Sequence, residues 1–154
     1  MTASAVSIRL AGPDDAAAVA PLFDAYRQFY DQPADPAGAA RFVLERLARQ
    51  ESEILIACDA GGWLLGFCQL YPTFCSVAAK PIFSLYDLFV QPAHRRAGVG
   101  RQLLQAAEAL ARERGKVRLD LTTARSNHAA QALYESQGWQ RDEVFLAYTR
   151  VLDA

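Results

Sequence analysis

Residues 86–104 read YDLFVQPAHRRAGVGRQLL. An apolar strand pattern ends at Pro92, two arginines follow, and Gly98 and Gly100 open an amphipathic helix pattern. Glycine lets backbone amides approach a ligand closely, because no Cβ atom stands in the way. A helix N-terminus adds N–H groups without intrahelical partners and the positive end of the helix dipole. The stretch therefore predicts an anion site and suggests a phosphate-bearing ligand.

The segments on either side of this stretch predict a β-α-β unit. A strand pattern over 82–90 precedes the turn, a helix pattern over 98–114 follows it, and apolar residues alternate over 117–123. Two strands joined through a helix lie parallel with a right-handed crossover, and ligands bind beyond the carboxyl ends of such strands. The Arg-Arg-Ala-Gly-Val-Gly turn occupies that position, so the motif and its context agree.

The remaining chain predicts further elements of the same α/β domain. Strands are predicted over 6–10, 53–58, 63–71 and 144–152, helices over 19–30, from Pro36 to about Leu47 and over 127–137, and a loop over 72–81. Asp35 and Pro36 supply an N-cap and a first-turn proline. Since neither an internal repeat nor a linker is found, the sequence predicts one domain over 1–154.

Composition excludes several classes of function. Lys and Arg number 16 against 17 Asp and Glu, which argues against non-specific binding to nucleic acid or to a membrane surface. No apolar run approaches the roughly 20 residues that span a bilayer, and Met1–Arg9 lacks a secretion signal. The three cysteines are an odd number without C-x-x-C spacing, so a disulfide framework and a zinc site are both disfavoured. We expect a reduced cytoplasmic protein.

Two common nucleotide-binding motifs fail on individual residues. A dinucleotide fingerprint needs a third glycine where Leu103 stands. A P-loop needs Gly-Lys-Ser/Thr, whereas Gly100 is followed by Arg101 and Gln102. The pattern that does fit is Arg-x-x-Gly-x-Gly at Arg95, Gly98 and Gly100.

That pattern resembles the GNAT family of N-acetyltransferases, which move an acetyl group from acetyl-coenzyme A to an amine. The family's pyrophosphate-binding pattern, Arg/Gln-x-x-Gly-x-Gly/Ala, is matched over 95–100, and its later signature of asparagine, Ala-rich helix, tyrosine and glycine is matched over 127–139. The resemblance runs from residue 6 to about 152. It implies an α/β GNAT fold in one domain, with a mixed central sheet of about six to seven strands and four helices.

The resemblance also implies which residues meet acetyl-CoA as co-substrate, with no metal. These are Phe89, Val90, Arg95, Arg96, Ala97, Gly98, Val99, Gly100, Arg101, Asn127 and Tyr134. Tyr134 becomes the general acid that protonates the departing thiolate, because a phenol can donate a proton and recover it; at helical spacing it can equally pack in the core. Asn127 is either a contact to the pantetheine arm, the N-cap of its helix, or both.

Asp87 is the one acid in an apolar strand, so it needs a partner or a purpose. One interpretation is a structural hydrogen bond. The other is that Asp87 faces the acceptor cleft, attracts a cationic amine and helps to deprotonate it through water, as acids here do in the polyamine relatives. A looser likeness to those polyamine and small-amine (diamine) N-acetyltransferases is carried by 67–71 and 85–90, although Tyr86 stands where they have a second acid. Tyr26, Tyr30 and Tyr71 are either cleft-lining or core residues.

These residues predict transfer to a primary amine of a small molecule by direct attack, without an acyl-enzyme. Two alternatives are a peptide or protein N-acetyltransferase, which needs an open groove, and a catalytically silent acyl-CoA-binding sensor. Tyr134 argues against the sensor, since a sensor needs no leaving-group acid. Family resemblance further implies a homodimer.

Overall fold

The structure is a computed structural model that describes residues 5–153. Its strands are β1 (Ser7–Leu10), β2 (Glu53–Cys58), β3 (Leu64–Cys75), β4 (Lys80–Val90) and β5 (Leu119–Asp120). Its α-helices are α1 (Ala16–Phe29), α2 (Pro36–Ala48), α3 (Val99–Glu113) and α4 (His128–Ser136). The chain divides after Thr122 into two compact units, so β1 to β5 and α1 to α3 belong to the first unit and α4 to the second.

The first unit is a sheet between two helical layers. The strands lie in the order β1-β2-β3-β4-β5, antiparallel up to β4, with β5 parallel to β4. Apolar residues of α1 and α2 form one core with β2, β3 and β4, and the buried side of α3 packs against the same strands. The predicted β-α-β unit and α/β class with four helices are confirmed. Within residues 5–153 the sheet has five strands, fewer than predicted.

Strand β4 contains one extra residue opposite β3. Gln69 pairs with Asp87 and Leu70 with Leu85, so Tyr86 is left without a partner residue. Because side chains alternate between the two faces of a sheet, one extra residue reverses which face each later side chain occupies. Asp87 consequently lies on the α1–α2 face together with Gln69, whereas Leu85 lies on the opposite face.

Local sequence signals set the beginnings of the helices. The Asp35 carboxylate accepts the N–H of Gly38 at 3.0 Å, which caps α2 as predicted. Asn127 Oδ1 accepts the N–H of Ala130 at 3.2 Å, so it is the N-cap of α4. These caps satisfy N–H groups that have no partner inside the helix.

Two predicted segments differ from the structure. The loop predicted over 72–81 is wrong, since β3 runs to Cys75 and β4 begins at Lys80. Its prolines suggested a break, but beyond Leu70 strand β3 has only β4 as a neighbour, and proline is tolerated at such an edge. The strand predicted over 144–152 is also wrong: that segment is irregular. Its apolar pattern favours a strand, but a strand needs a paired backbone and a buried face, and its large side chains are exposed.

Gly66 permits the close approach of β3 and β4. A Cβ atom at this residue would lie 2.7 Å from the carbonyl oxygen of Phe89 and 3.2 Å from Val90 Cα. We therefore expect Gly66→Ala to lower the free energy of unfolding by about 1–3 kcal/mol, because the backbone of β4 has to move. Urea denaturation measures the change. Gly12→Ala is the control, since nothing lies within 4 Å of its Cβ position, and an equal loss in both variants would contradict the prediction.

Candidate functional site

The turn before α3 has the backbone shape of an anion cradle. Arg96 and Gly98 have left-handed backbone angles, with φ of 65° and 83°. The Gln102 N–H makes a helical bond to the Gly98 carbonyl at 3.0 Å, so the N–H groups over 99–101 precede the helical hydrogen-bond pattern. A Cβ atom at Gly98 would meet nothing within 4 Å. Open space therefore lies in front of the helix N-terminus, and its N–H groups and dipole favour an anion there.

The arginines of this turn differ in their placement. The Arg95 Nε donates to the Val90 carbonyl at 2.9 Å, and its guanidinium lies 5.3 Å from the Phe89 ring centre and 5.8 Å from that of Phe29. Arg95 thus joins the end of β4 to α1, on the wall of an apolar groove of about 960 Å³. Arg95, Arg96 and Arg101 are all exposed. Arg95 differs from the other two because its Nε is held by the Val90 carbonyl and its guanidinium lies against two rings.

One edge of β4 is without a strand partner in the first unit. Strand β5 pairs with β4 only at Phe83 and Ser84, so the edge from residue 85 to Val90 has no neighbouring strand there. The Phe89 side chain is buried in the core, which leaves its backbone as the part that can meet a ligand. An unpaired strand edge offers N–H and C=O groups to an extended molecule.

Asp87 lies in a buried polar network. Its side chain accepts a hydrogen bond from Gln69 Nε2, and the Gln69 Oε1 in turn accepts from Ser52 Oγ at 2.8 Å. Asp87 is 3% exposed and Gln69 is 0% exposed. Asp87 therefore makes the structural hydrogen bond that one interpretation predicts. An acceptor molecule would have to reach a carboxylate that lies below the surface.

Tyrosines surround this carboxylate. The Tyr26 hydroxyl donates to the Tyr86 carbonyl at 3.2 Å and interacts with the Asp87 carboxylate. The rings of Tyr71 and Tyr86 lie edge to face at 5.5 Å, and those of Tyr26 and Tyr30 at 5.2 Å. Tyr26 also contacts core aromatics, so it serves both the core and the rim of the network.

Burial dominates the electrostatics of this cluster. It raises the pKa of Asp87, while the hydrogen bonds from Gln69 and Tyr26 act in the opposite direction. Burial and the nearby Asp87 charge raise the pKa of Tyr71 to about 12, and they also raise the pKa of Tyr26. Tyr26 and Tyr71 therefore stay neutral near pH 7, and the Asp87 carboxyl holds its proton more tightly than an exposed aspartate does.

The second unit holds the other two predicted site residues. Asn127 is the N-cap of α4, and Tyr134 lies half-buried on that helix, with its ring centre 6.0 Å from that of Trp139. Gly138 ends the helix with φ of 87°, as its position predicts. The asparagine-to-tyrosine spacing thus spans one short helix.

Residues 5–153 contain no cluster of His, Cys, Asp and Glu arranged to hold a metal ion. In the same range no helix combines the length and apolar character needed to cross a membrane. All three cysteines are free.

Comparison with known proteins identifies the class of this protein. Residues 19–139 match the model of the acetyltransferase (GNAT) family. An N-acetyltransferase of Bacillus subtilis (strain 168), YhfO, is 48% identical over 143 residues, covering 93% of this chain and 95% of that protein. An aminoglycoside N(6')-acetyltransferase type 1 of Stenotrophomonas maltophilia is 31% identical over 146 residues, covering 93% and 92%.

A solved crystal structure gives the same assignment. It is described as a probable acetyltransferase, is 40% identical, superposes with a TM-score of 0.90, and covers 96% of this chain and 99% of that one. The chain therefore belongs to the GNAT family and is an N-acetyltransferase. Acetyl-CoA is the acetyl donor of this family.

Sequence reasoning missed Gln69 and Ser52 as partners of Asp87. The available signal was one amide inside the apolar run 67–70, because a buried amide needs hydrogen-bond partners. Ser52 precedes β2 and carries no such signal. Their pairing depends on the register of three strands, which the sequence pattern alone does not specify.

The raised pKa of Asp87 makes stability depend on pH. The folded protein holds this proton more tightly than the unfolded chain, so the stability it contributes is present below the ordinary pKa of 3.8 and is lost as pH rises through the folded pKa. Asp87→Asn keeps the shape and removes the titration. We expect its stability relative to wild type to increase by about 1.4 kcal/mol per pH unit within that window.

Urea denaturation of both proteins across this pH range measures the difference, in which the other carboxylates cancel. A difference that stays constant with pH would show that burial does not perturb Asp87.

Proposed function

We propose that this protein transfers the acetyl group of acetyl-CoA to a primary amine of a small molecule by direct attack. The observation that carries the proposal is the layout of β4. Asp87 sits among tyrosines beside the extra residue of this strand, its unpaired edge follows, and its carboxyl end leads into the anion cradle. One strand thus supplies an amine-attracting acid and a place for a long anionic donor.

The residues present fit coenzyme A. The N–H groups at the start of α3 would hold the pyrophosphate, and Arg96 and Arg101 would lie near phosphate charge. The backbone of Phe89 and Val90 would bind the pantetheine arm along the open edge of β4. The family signature implies that Asn127 and Tyr134 also contact the coenzyme. When bound, acetyl-CoA supplies an activated acetyl thioester.

Asp87 is proposed to prepare the acceptor. A free alkyl amine has a pKa of about 10 and is bound as an ammonium ion, so it has to lose a proton before it attacks. Asp87 accepts that proton through a water molecule and later returns it to solvent. A backbone N–H near the end of β4 polarises the thioester carbonyl.

Tyr134 is proposed to complete the reaction. As the amine nitrogen bonds to the carbonyl carbon and the carbon–sulfur bond breaks, Tyr134 gives its proton to the leaving thiolate. The nitrogen releases its remaining extra proton, which restores the phenol. The products are an amide and free coenzyme thiol, with one proton released to solvent.

The tyrosine rim favours a cationic acceptor with a flat or ring-shaped body. Neutral aromatic rings attract ammonium groups and pack against apolar faces of rings. The similarity to an aminoglycoside N(6')-acetyltransferase supports amine-bearing sugars among the small-molecule acceptors. We further propose a homodimer in the cytoplasm. The exposed apolar side chains over 144–152 support an interface, and the three free cysteines fit a reducing compartment.

The test of function is a thiol-release screen with acetyl-CoA over polyamines, amino acids, amino sugars and peptides. We expect release with a small amine, and we expect Tyr134→Phe to lower turnover on that amine by about 100-fold or more. The affinity for acetyl-CoA should stay near the wild-type value, because the ring remains.

Release with peptides only would replace the small acceptor by a protein one. Binding of acetyl-CoA without thiol release from any amine would favour the sensor, and unchanged turnover of Tyr134→Phe would remove this residue from the mechanism.

Gly98 and Gly115 form a matched pair for testing the anion cradle. They flank α3, both have positive φ (83° and 72°), and neither has an atom within 4 Å of its Cβ position. Alanine therefore costs similar backbone strain at both ends. We expect Gly98→Ala to weaken acetyl-CoA binding by about tenfold, and Gly115→Ala to leave it unchanged, in calorimetric titration. Equal affinities of the two variants would contradict the assignment of the cradle.

A further inference from the structure

Gln69 is a fully buried polar side chain that no step of the proposed reaction uses. Both ends of its amide are engaged: Oε1 accepts from Ser52 Oγ at 2.8 Å, and Nε2 donates to Asp87 Oδ2. Buried amides are satisfied in this way in folded proteins. The network joins the residue before β2 to β3 and to β4, on the face that carries the tyrosines.

Ser52 selects the orientation of the Gln69 amide. An ionised carboxylate only accepts hydrogen bonds, so the nitrogen end of the amide has to face Asp87. The hydroxyl of Ser52 then donates to the oxygen end. A flipped amide would place Oε1 against the carboxylate, with two acceptors in contact. The serine hydroxyl therefore holds the donor end of Gln69 toward Asp87.

The side chains that interact with Asp87 on the α1–α2 face are neutral. They are Tyr26 from α1 and Gln69 and Tyr71 from β3, while the Cys68 thiol, whose pKa burial also raises, lies on the opposite face of β3. None of the salt bridges found over residues 5–153 includes Asp87. Without a cation beside it, the negative charge depends on hydrogen bonds, and the buried amide supplies one of them.

A neutral hydrogen-bond donor such as the Gln69 amide is compatible with Asp87 acting as a proton acceptor. A paired Lys or Arg would hold the carboxylate strongly ionised, make it a weak base and repel an ammonium ion. With no donor, burial would raise the pKa of the carboxyl further and favour its protonated form, which cannot accept a proton. The amide lies between these extremes, because it stabilises the charged form without adding positive charge.

We propose that Gln69, oriented by Ser52, is a positioning residue that holds Asp87 Oδ2 and keeps the carboxylate ionised, so that the other oxygen accepts the proton of the amine. This inference rests on the proposed role of Asp87 in preparing the acceptor. It assigns to two residues outside both family motifs a part in setting the pH dependence of the reaction.

The test compares wild type with Gln69→Met, which preserves the side-chain length without the amide. Carbon-13 NMR of labelled aspartate side chains follows the titration of Asp87, and Asp87→Asn identifies its signal. We expect the pKa of Asp87 to rise by about one unit or more in Gln69→Met, because a hydrogen bond to a charged group is lost. Ser52→Ala should raise it by less, since the amide stays but loses its orientation.

The pH dependence of kcat/KM is a second measurement, and it would stay unchanged if Gln69 had only a structural role. The acidic limb of kcat/KM for the amine should shift upward by the same amount as the NMR titration, while KM for acetyl-CoA stays constant. If Gln69→Met does not fold, Ser52→Ala carries the test. A folded variant with an unchanged Asp87 pKa would overturn the inference.

The same experiment separates this inference from the proposed function. If the NMR pKa rises but Asp87→Asn keeps full activity, Asp87 is not the proton acceptor and the positioning role is overturned with it. If wild type acetylates no small amine, the proposed function fails on its own, whatever the NMR titration shows.

Discussion

The single extra residue in β4 is the constraint on which the site depends. If Tyr86 were a regularly paired residue, strict alternation would place Asp87 on the α3 face together with Leu85. Because Tyr86 is an extra, unpaired residue, the carboxylate lies on the side of α1 and α2 and meets Gln69. The extra residue lies on β4, and the edge of β4 from residue 85 to Val90 is unpaired because β5 is short. A local change in register therefore creates both a recessed acid and an open backbone edge.

Burying a carboxylate without a cation works against stability, and the surrounding packing has to offset it. Phe67 and Phe89 lie beside the network in a core shared with α1 and α2. Gly66 lets β3 and β4 approach closely one residue away from Phe67. The close packing around Phe67 and Phe89 thus offsets the free-energy cost of burying the Asp87 carboxylate, an arrangement common at functional sites.

Local features were predictable from the sequence, whereas features of register were not. Asp35 and Asn127 stand where capping rules place them, since a cap depends on a few adjacent residues. The β-α-β unit followed from hydrophobic periodicity. The contact between Gln69 and Asp87 joins residues eighteen apart through a bulge that no local signal marks.

The errors have the same origin. Prolines at 72 and 81 indicated a loop because proline usually ends strands. Pro72 is tolerated because it lies on β3 beyond the point where β2 stops, and Pro81 is tolerated at the beginning of β4. The apolar pattern over 144–152 reports a preference for extended structure and cannot supply a partner strand. The chemistry of the site stays a prediction that rests on the family motifs, and the partners of Asp87 lie outside those motifs.

The acid and the anion cradle lie at different places along β4 and the turn after it, and this separation affects how acceptor specificity can change during evolution. The tyrosines near Asp87 come from α1, β3 and the extra residue of β4, whereas the anion cradle lies within residues 95–101. Substitutions among the tyrosines leave the cradle residues unchanged. Under the proposed function, lineages that share the cradle can thus acquire new acceptors through a few side chains on separate elements, and relatives with one fold can come to modify chemically unrelated amines.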